Sequence, residues 1–528
     1  MNENIIHHQV QHPESEQLFA DVYELKIKNG ASVFAVLPHC SIGAEAMAMI
    51  QALSSRSPAT VLSHLHKVAQ KGPEAFMETF YKGYGDKSIG DLGHVLLVYE
   101  GVSMLAAKAI QDCQLYAGQE SSTRYIDFSK QSFLDFEINP EKISLVDSKI
   151  SGVTGIQEQY RDFYLYALPE IKNNLYEKYP WEDQKGVIIS GNEITEDVYE
   201  RSIKARSFDI ARGFLPAGAA TNVFWYSAIS TAVDHLGWLR CHALDEVQEL
   251  ADKTQELLDF IYPSSFLGRK IDLAKENYKK DFYLTQYYLE EHSGQQVDFY
   301  LKNLSNYKQA ILTRPFRQEL HYTIGECGTL EYNALLDFAS FRDQQRHRSF
   351  VQRQGLLTDK YGFHEWYIDN LPDKIHEEAI ELLQNQSLKI EQTGLDKFQK
   401  QYLFPMGMKI PTRIVGHLGK IFYFLELRCQ KTVHPTLYTN TFFLASEVKQ
   451  YLAQELGVVA DEIPMYIDPD VGGFSLKRGT QTILENGKEM IWFIQTGGLS
   501  TSFFYTDSFR NTLYSSLHLN LKCLKSPV

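Results

Sequence analysis

The sequence predicts a mixed helix-and-strand chain of two related, helix-rich halves with small sheets, followed by a β-rich C-terminal segment. Three observations predict it. Apolar residues recur at helical spacing, as at Ile194, Val198, Ile203, Ala205 and Ile210. Short apolar runs flank turn dipeptides such as Asn29-Gly30. Two motifs also recur in order. Phe214-Leu215-Pro216-Ala217-Gly218 returns as Leu403-Phe404-Pro405-Met406-Gly407, and Leu239-Arg240-Cys241 returns as Leu427-Arg428-Cys429. Such self-similarity points to a tandem duplication. At 528 residues the chain exceeds one ordinary core. We divide it at 1–291 and 292–528, inside a polar, aromatic stretch, with a C-terminal extension from about residue 460.

The elements follow in order. Asp21 to Ile27 and Ala31 to Leu37 read as strands. Ser41 to Leu53 and Ala59 to Gln70 read as helices. His64 and His66 face different ways on a helix, so they read as structural or exposed rather than as metal ligands. Gly83 to Gly93 is a glycine-rich loop without the strand context of a dinucleotide fingerprint. Gly93 to Ala109 reads as a largely buried helix; Glu100 and Lys108 break its apolar run and argue against a membrane span. The stretch from 132 to 190 carries no clear pattern. A helix begins near Glu193, with Thr195, Asp197 and Glu200 at its start. Val223 to Ile261 reads as one long helical stretch ended by Tyr262-Pro263. Pro464 to Ile467, Phe474 to Lys477, Met490 to Gln495 and Ser502 to Tyr505 read as strands.

Composition narrows the function. The formal charge of −14 disfavours non-specific nucleic-acid binding and an anionic membrane surface. The N-terminus has no basic stretch followed by an apolar run, so no secretory leader is expected. The six cysteines are scattered without paired spacing. That predicts a reduced, cytoplasmic compartment and neither a disulfide framework nor a zinc site.

The chemistry concentrates in Phe341 to Phe350. Arg342, Arg346, Arg348 and Arg353 crowd a short stretch of an acidic chain, with His347 between two of them and Ser349 following. Paired guanidinium N–H groups match carboxylate, phosphate and ring-carbonyl spacing. Basic runs on helices are more often solvated faces. A second stretch raises this one above that background: Gln119 to Phe128, with Glu120, Ser122, Thr123, Arg124 and Tyr125. Arg212 stands in an otherwise apolar helix, where an arginine needs a partner. Arg240 and Arg428 end helices, where a cation is also favourable without any function. His364-Glu365 lacks the second histidine of a zinc-protease motif.

With these residues the sequence resembles the flavin-dependent thymidylate synthases. Their signature is RHR followed one loop later by S-x-R-Y, then an arginine before Leu-Pro and a helix ending in Leu-Arg. Here the signature is split. The second half carries Arg346-His347-Arg348 but has Leu356 in the serine slot; the first carries Ser122-Thr123-Arg124-Tyr125 but has Asp112-Cys113-Gln114 in the RHR slot. Arg212 matches the arginine before Leu-Pro, with Gln401 at its second-half slot, and Arg240 and Arg428 match the helix-ending arginine. Both histidines of the family's G-H-x-S-x-x-E-H loop are missing from Gly85 to Leu92.

The resemblance implies an α/β (α+β) fold and a homodimer acting as a pseudo-tetramer. It implies FAD-dependent methylation of the nucleotide dUMP, with methylenetetrahydrofolate and NADPH as co-substrates. Arg346, His347, Arg348 and Ser349 would then hold the flavin. Glu120, Ser122, Thr123, Arg124, Arg212 and Arg428 would hold the nucleotide, and Arg346, Arg348 and Arg428 would stabilise developing negative charge. Two alternatives are an inactive flavin- or nucleotide-binding scaffold and a flavoenzyme acting on another nucleotide.

Overall fold

The computed structural model describes residues 4–11, 17–27, 30–38, 42–57, 59–124, 128, 133, 153–189, 191–269, 272–291, 294–469 and 473–480. Its strands are β1 (Ile5–Gln11), β2 (Leu18–Lys26), β3 (Ser32–Pro38), β4 (His94–Ser103), β5 (Ala117–Glu120), β6 (Ile188–Ile189), β7 (Asn192–Glu193), β8 (Ala220–Ala228), β9 (Gln296–Leu301), β10 (Gly328–Asp337), β11 (Val351–Gln354) and β12 (Lys409–Gly416). They form a six-stranded sheet in the order β1-β2-β3-β4-β8-β5 and a four-stranded sheet in the order β11-β12-β10-β9, both antiparallel, plus the small pair β6-β7. Helices cover the sheets, so the architecture is α+β.

The expected strand pair near the N-terminus and the two helices after it are present, as β2 and β3 and then Ala44–Arg56 and Val61–Lys71. His64 is buried and His66 exposed. The expected helix Gly93 to Ala109 is instead β4 followed by the short helix Met104–Gln111. A strand covered on both faces is a continuous apolar run, and periodicity alone cannot tell it from a buried helix. The expected helix Val223 to Ile261 is also broken. It begins inside β8, whose residues alternate between buried and exposed along Val223 to Tyr226, and continues as Ile229–Leu239 and Asp245–Ile261. In the C-terminal extension, Pro464 to Ile467 is not a strand. Leu476–Thr480 is a turn of 3-10 helix where a strand through Phe474 to Lys477 was expected. The stretches 490–495 and 502–505 lie outside the described residues.

The two sheets share a register. β5 pairs with β8 through Ala117↔Tyr226 and Glu120↔Val223. β11 pairs with β12 through Val351↔Val415 and Gln354↔Thr412. Ser103↔Ala220 in one sheet matches Asp337↔Lys409 in the other. The register differs at one place, a shift between Tyr99 and Val102, where Gly101 adopts φ +72°. Each of these central strands is followed by a helix in the matching place: Met104–Gln111 after β4 against Phe338–Gln345 after β10, and Ile229–Leu239 after β8 against Leu418–Arg428 after β12.

The repeated Leu-Pro and Phe-Pro segments meet each other. Pro216 and Pro405 form an antiparallel bridge. Around it Met406 N donates to Leu215 O and Gly407 N to Gly213 O, both at 2.8 Å, while Ala217 N donates to Phe404 O at 3.0 Å. Gly407 makes the crossing possible, because a Cβ there would lie 2.4 Å from the Phe363 ring and 3.0 Å from Gly213 O. Leu215, Phe214, Leu403 and Phe404 are all buried in one core shared by both halves. This crossing brings the end of helix Glu196–Ala211 beside helix Phe338–Gln345.

Candidate functional site

β10 ends at Asp337, whose carboxylate accepts from Ser340 N at 2.9 Å and so caps the helix Phe338–Gln345. Ser340, Asp343 and Arg346 follow at helical spacing on one side. Arg346 is exposed, and its Nη2 lies 3.6 Å from Asp343 Oδ1. From the first half comes Arg212, only 1% exposed, with Nη1 3.5 Å from Asp343 Oδ2 and Nη2 donating to Ser340 Oγ at 3.2 Å. Burial by itself would raise the Asp343 carboxyl. The guanidinium groups of Arg346, Arg212, Arg124 and Arg428 outweigh it and hold the group below the ordinary carboxylate range. Two of these four arginines come from each half.

Arg428 closes the helix Leu418–Arg428 and donates through Nε to His347 Nε2 at 2.8 Å. Arginine can only donate, so His347 Nε2 is the acceptor and its proton sits on Nδ1. Burial, then Arg428, Arg346 and Arg348, push His347 well below its ordinary value, so it is neutral. Arg428 is itself pushed down to about 10, by burial first and then by Arg346 and Arg124, despite Asp343. Arg348 lies over the Tyr116 ring at 4.3 Å from the centroid, a cation–π contact between the halves. Ser349 is exposed.

Arg124 is engaged in a fork. Its Nε donates to Asp209 Oδ1 at 2.7 Å and its Nη2 to Asp209 Oδ2 at 3.0 Å, while Nη2 also reaches Thr432 O at 3.1 Å. Ser122 Oγ accepts from Arg124 N at 3.3 Å, which fixes the turn that presents the arginine. Thr123 is buried, and Tyr125 lies outside the described residues. Glu120 is held by Arg342 Nη2 and by Gln111 Nε2, the latter at 2.7 Å. Arg240 differs from Arg428: it sits at the surface, paired with Asp252 at 2.8 Å and Glu276 at 3.8 Å. Only one of the two helix-ending arginines therefore reaches the cluster.

The positions in matching register in the other half hold different chemistry. Asp112 stands at the place of Arg346 and accepts from Lys108 at 3.2 Å and from the Tyr287 hydroxyl. Tyr283, Tyr287 and His242 pack together there in edge-on contacts. Leu356, in the serine slot, lines a separate cavity of about 260 Å³ with Tyr288, Lys360 and Lys397.

The site offers one open feature to a ring-shaped ligand. Arg348 Nε and Gln352 Oε1 are buried without a hydrogen-bond partner, and both residues line a cavity of about 170 Å³ with Gln345, Cys113 and Gln114. Donor and acceptor together suit the polar edge of a flavin or pyrimidine. The volume is below the roughly 300–1,000 Å³ of small-molecule sites, so a flavin would be enclosed along one edge only. Among the described residues no group of His, Cys, Asp or Glu is arranged to hold a metal, and no helix is long and apolar enough to cross a membrane. Cys113, Cys241, Cys327 and Cys429 are free.

Sequence reasoning missed Asp209, Asp343, Ser340, His434 and Arg478. His434 Nε2 meets Asp209 O at 3.1 Å, and its Nδ1 meets Thr436 Oγ1 at 2.9 Å. One signal was present. Asp209 precedes Arg212 by three residues, and Asp343 precedes Arg346 by the same interval.

Fold and site define a helix-rich α+β protein with a buried arginine–aspartate cluster built from both halves. The chain is 24% identical to a UPF0159 protein of Chlamydia pneumoniae over 82% of its own length and 90% of that protein's. It is likewise 24% identical to UPF0159 protein Ta1429 of Thermoplasma acidophilum, over 79% of this chain and 93% of that one. A UPF0159 protein of Chlamydia muridarum matches at 24% over 71% and 78% of the two chains. These names state no activity. No protein-family model matches the chain.

Proposed function

We propose that the chain is a tandem-duplicated, FAD-dependent thymidylate synthase that methylates dUMP to dTMP with methylenetetrahydrofolate and NADPH. One observation carries the reading: Arg212 of one half and Arg346 of the other flank Asp343 at 3.5 and 3.6 Å, and the charges of Arg124 and Arg428 add to theirs in holding its carboxyl low. Residues from both parts of the split signature contribute charge to this one cluster, which supports the reading. The shared register of the two sheets supports the duplication.

Reduced FAD, when bound, would supply the electrons for the methylation. This chain's own residues do the rest. Arg348 and Gln352 orient the ring edge, and neutral His347, its acceptor nitrogen taken by Arg428, offers its Nδ1 proton as a donor. Arg124, Arg212 and Arg428 take the nucleotide phosphate, with Asp209 and Asp343 holding the guanidinium groups in place until it arrives. The small cavity is completed by a second copy, giving a homodimer that acts as a pseudo-tetramer in the cytoplasm.

Purified protein supplied with FAD should bind it, with a visible spectrum that changes on adding dUMP, and should release tritium from 5-tritiated dUMP. Calorimetry should count one dUMP per chain, because Leu356 and Thr358 stand where Ser122 and Arg124 would be needed for a second site. Flavin binding without tritium release would favour the inactive-scaffold reading, or a flavoenzyme acting on another nucleotide. The engagement of Glu120 by Arg342 and Gln111 favours the scaffold reading, since that carboxylate is then not free for substrate. Failure to bind flavin or dUMP at all would end both.

A further inference from the structure

We propose that residues 473–480 form a clasp that regulates the anion site by controlling how tightly Asp209 retains Arg124. The proposal rests on reading the arginine cluster as the site of a phosphate-bearing ligand. The segment lies along the helix Glu196–Ala211. Arg206 Nη2 donates to Gly473 O at 2.6 Å and Arg201 Nε to Gly479 O at 2.7 Å. Ser202 Oγ donates to Leu476 O and accepts from Gly479 N, both at 3.0 Å. Phe474 stacks on Tyr179 with centroids 4.5 Å apart. Gly479 is the point of closest approach: a Cβ there would lie 1.8 Å from Val198 O and 2.4 Å from Ser202 Oγ.

This docking delivers one buried side chain to the site. Arg478, 6% exposed, donates through Nη1 to Asp209 Oδ2, the oxygen that also accepts from Arg124 Nη2. Its Nη2 donates to the Arg124 carbonyl at 3.3 Å. Asp209 is therefore shared between two guanidinium groups. With the clasp seated, the local set carries a surplus positive charge and Arg124 is the partner that can turn to an arriving anion. With the clasp lifted, the same two-point fork of Arg124 on Asp209 is left as a neutral pair with no competing cation, which opposes that turn more strongly. Arg478 is thus a positioning residue, acting through Asp209, and the extension couples its own docking to ligand affinity.

The test measures inorganic phosphate binding by calorimetry on the full chain, with folding checked by circular dichroism. Arg478→Ala is expected to weaken binding about tenfold, a change of about 1.4 kcal/mol. Gly479→Ala is expected to do the same with Arg478 still in the chain, because its Cβ unseats the segment. Arg478→Lys restores the charge without the fork and should recover part of the loss. The decisive variant is Asp209→Asn combined with Arg478→Ala. Removing the carboxylate releases Arg124, so binding should return, which a merely structural role for Arg478 would not produce. If wild-type protein binds phosphate and all four variants bind it equally, or the double variant stays weak, the clasp is overturned while the site reading stands. If wild-type protein binds no phosphate, both are overturned.

Discussion

Replacing Asp343 by Asn removes the charge at the centre of the cluster without changing its size. Two guanidinium groups approach this carboxylate, Arg212 at 3.5 Å and Arg346 at 3.6 Å. At 3.5 Å a unit charge pair is worth about 5 kcal/mol with an effective dielectric of 20. The Arg346 pair is partly open to water and contributes less. Arg212 is almost fully buried and pairs with Asp343, so its loss of this counter-ion dominates even though Asp209 also favours its charge. Removing one partner of such a pair costs about 3–5 kcal/mol. We expect Asp343→Asn to lose stability in that range in urea denaturation at neutral pH. The deficit should shrink in phosphate, because an anion bound to the folded state adds RT ln(1 + [L]/Kd), about 2.7 kcal/mol at a hundredfold excess over Kd. The sign of the pH effect follows from the lowered carboxyl. Its contribution to wild-type stability is full above the ordinary value of 3.8 and is lost as pH falls through the folded value, and the Asn variant lacks that dependence. A variant as stable as wild type, or one whose deficit ignores phosphate, would refute a charge-centred cluster.

Three further outcomes are expected. His242 is pushed down to about 3, and His347 and His434 well below their ordinary 6.5, with burial the largest cause in each. The unfolded chain therefore takes up these protons first, and stability should be full above 6.5 and fall as pH drops below it. Glu45 and Glu246, raised by burial, act in the opposite direction, so His242→Asn should be compared with wild type in the same urea titrations; equal slopes would contradict the assignment. Leu215→Ala, at the crossing of the two halves, should cost about 2–5 kcal/mol, and a cost under 1 kcal/mol would mean the crossing is not a shared core. Arg240→Ala should change stability by no more than about 1 kcal/mol and leave flavin and phosphate binding unaltered, whereas Arg428→Ala should weaken both.

Much of the arrangement was legible in the chain, and the remainder was hidden for physical reasons. The strand pair β2 and β3 declared itself through a turn dipeptide and short apolar runs. β4 did not, because a strand buried on both faces loses its alternation. Arg212 was suspect from its apolar neighbours alone, since an arginine there requires a counter-ion. Which counter-ion it meets was not legible, because Asp343 lies across the Pro216–Pro405 crossing and no local pattern encodes that contact. Arg428 and Arg240 looked equivalent in their motifs. One turns inward to His347 and the other outward to Asp252, a difference set by the surrounding elements rather than by either motif. The C-terminal extension read as β because its glycine pairs and aromatics suit strands. Gly479 serves instead to let the backbone lie against a helix.

The inequality of the two halves has its own logic. On the duplication reading, the positions that match the cluster lost arginines together with the carboxylates that held them, three in the second half and one in the first. Gln401 stands at the place of Arg212 and Thr358 at that of Arg124; Phe398 stands for Asp209 and Ala109 for Asp343. Losing only the cations would have left buried carboxylates unpaired, and losing only the carboxylates would have stranded buried arginines. Either state costs several kcal/mol, whereas replacing these four together with uncharged residues is close to neutral. The vacated neighbourhood is occupied by helix Leu273–Thr285 and the Tyr283–Tyr287 pair, which tie Asp112 and Lys108 into a closed network. If the remaining cluster binds an anion as proposed, it could not simplify in the same way, because such a surface needs its guanidinium groups charged and held apart before the ligand arrives. Joint replacement of the counterparts of Arg212, Arg124, Asp209 and Asp343, with Asp112 paired to Lys108 and Arg240 to Asp252, is the pattern expected if a duplication left one composite site where two would have stood.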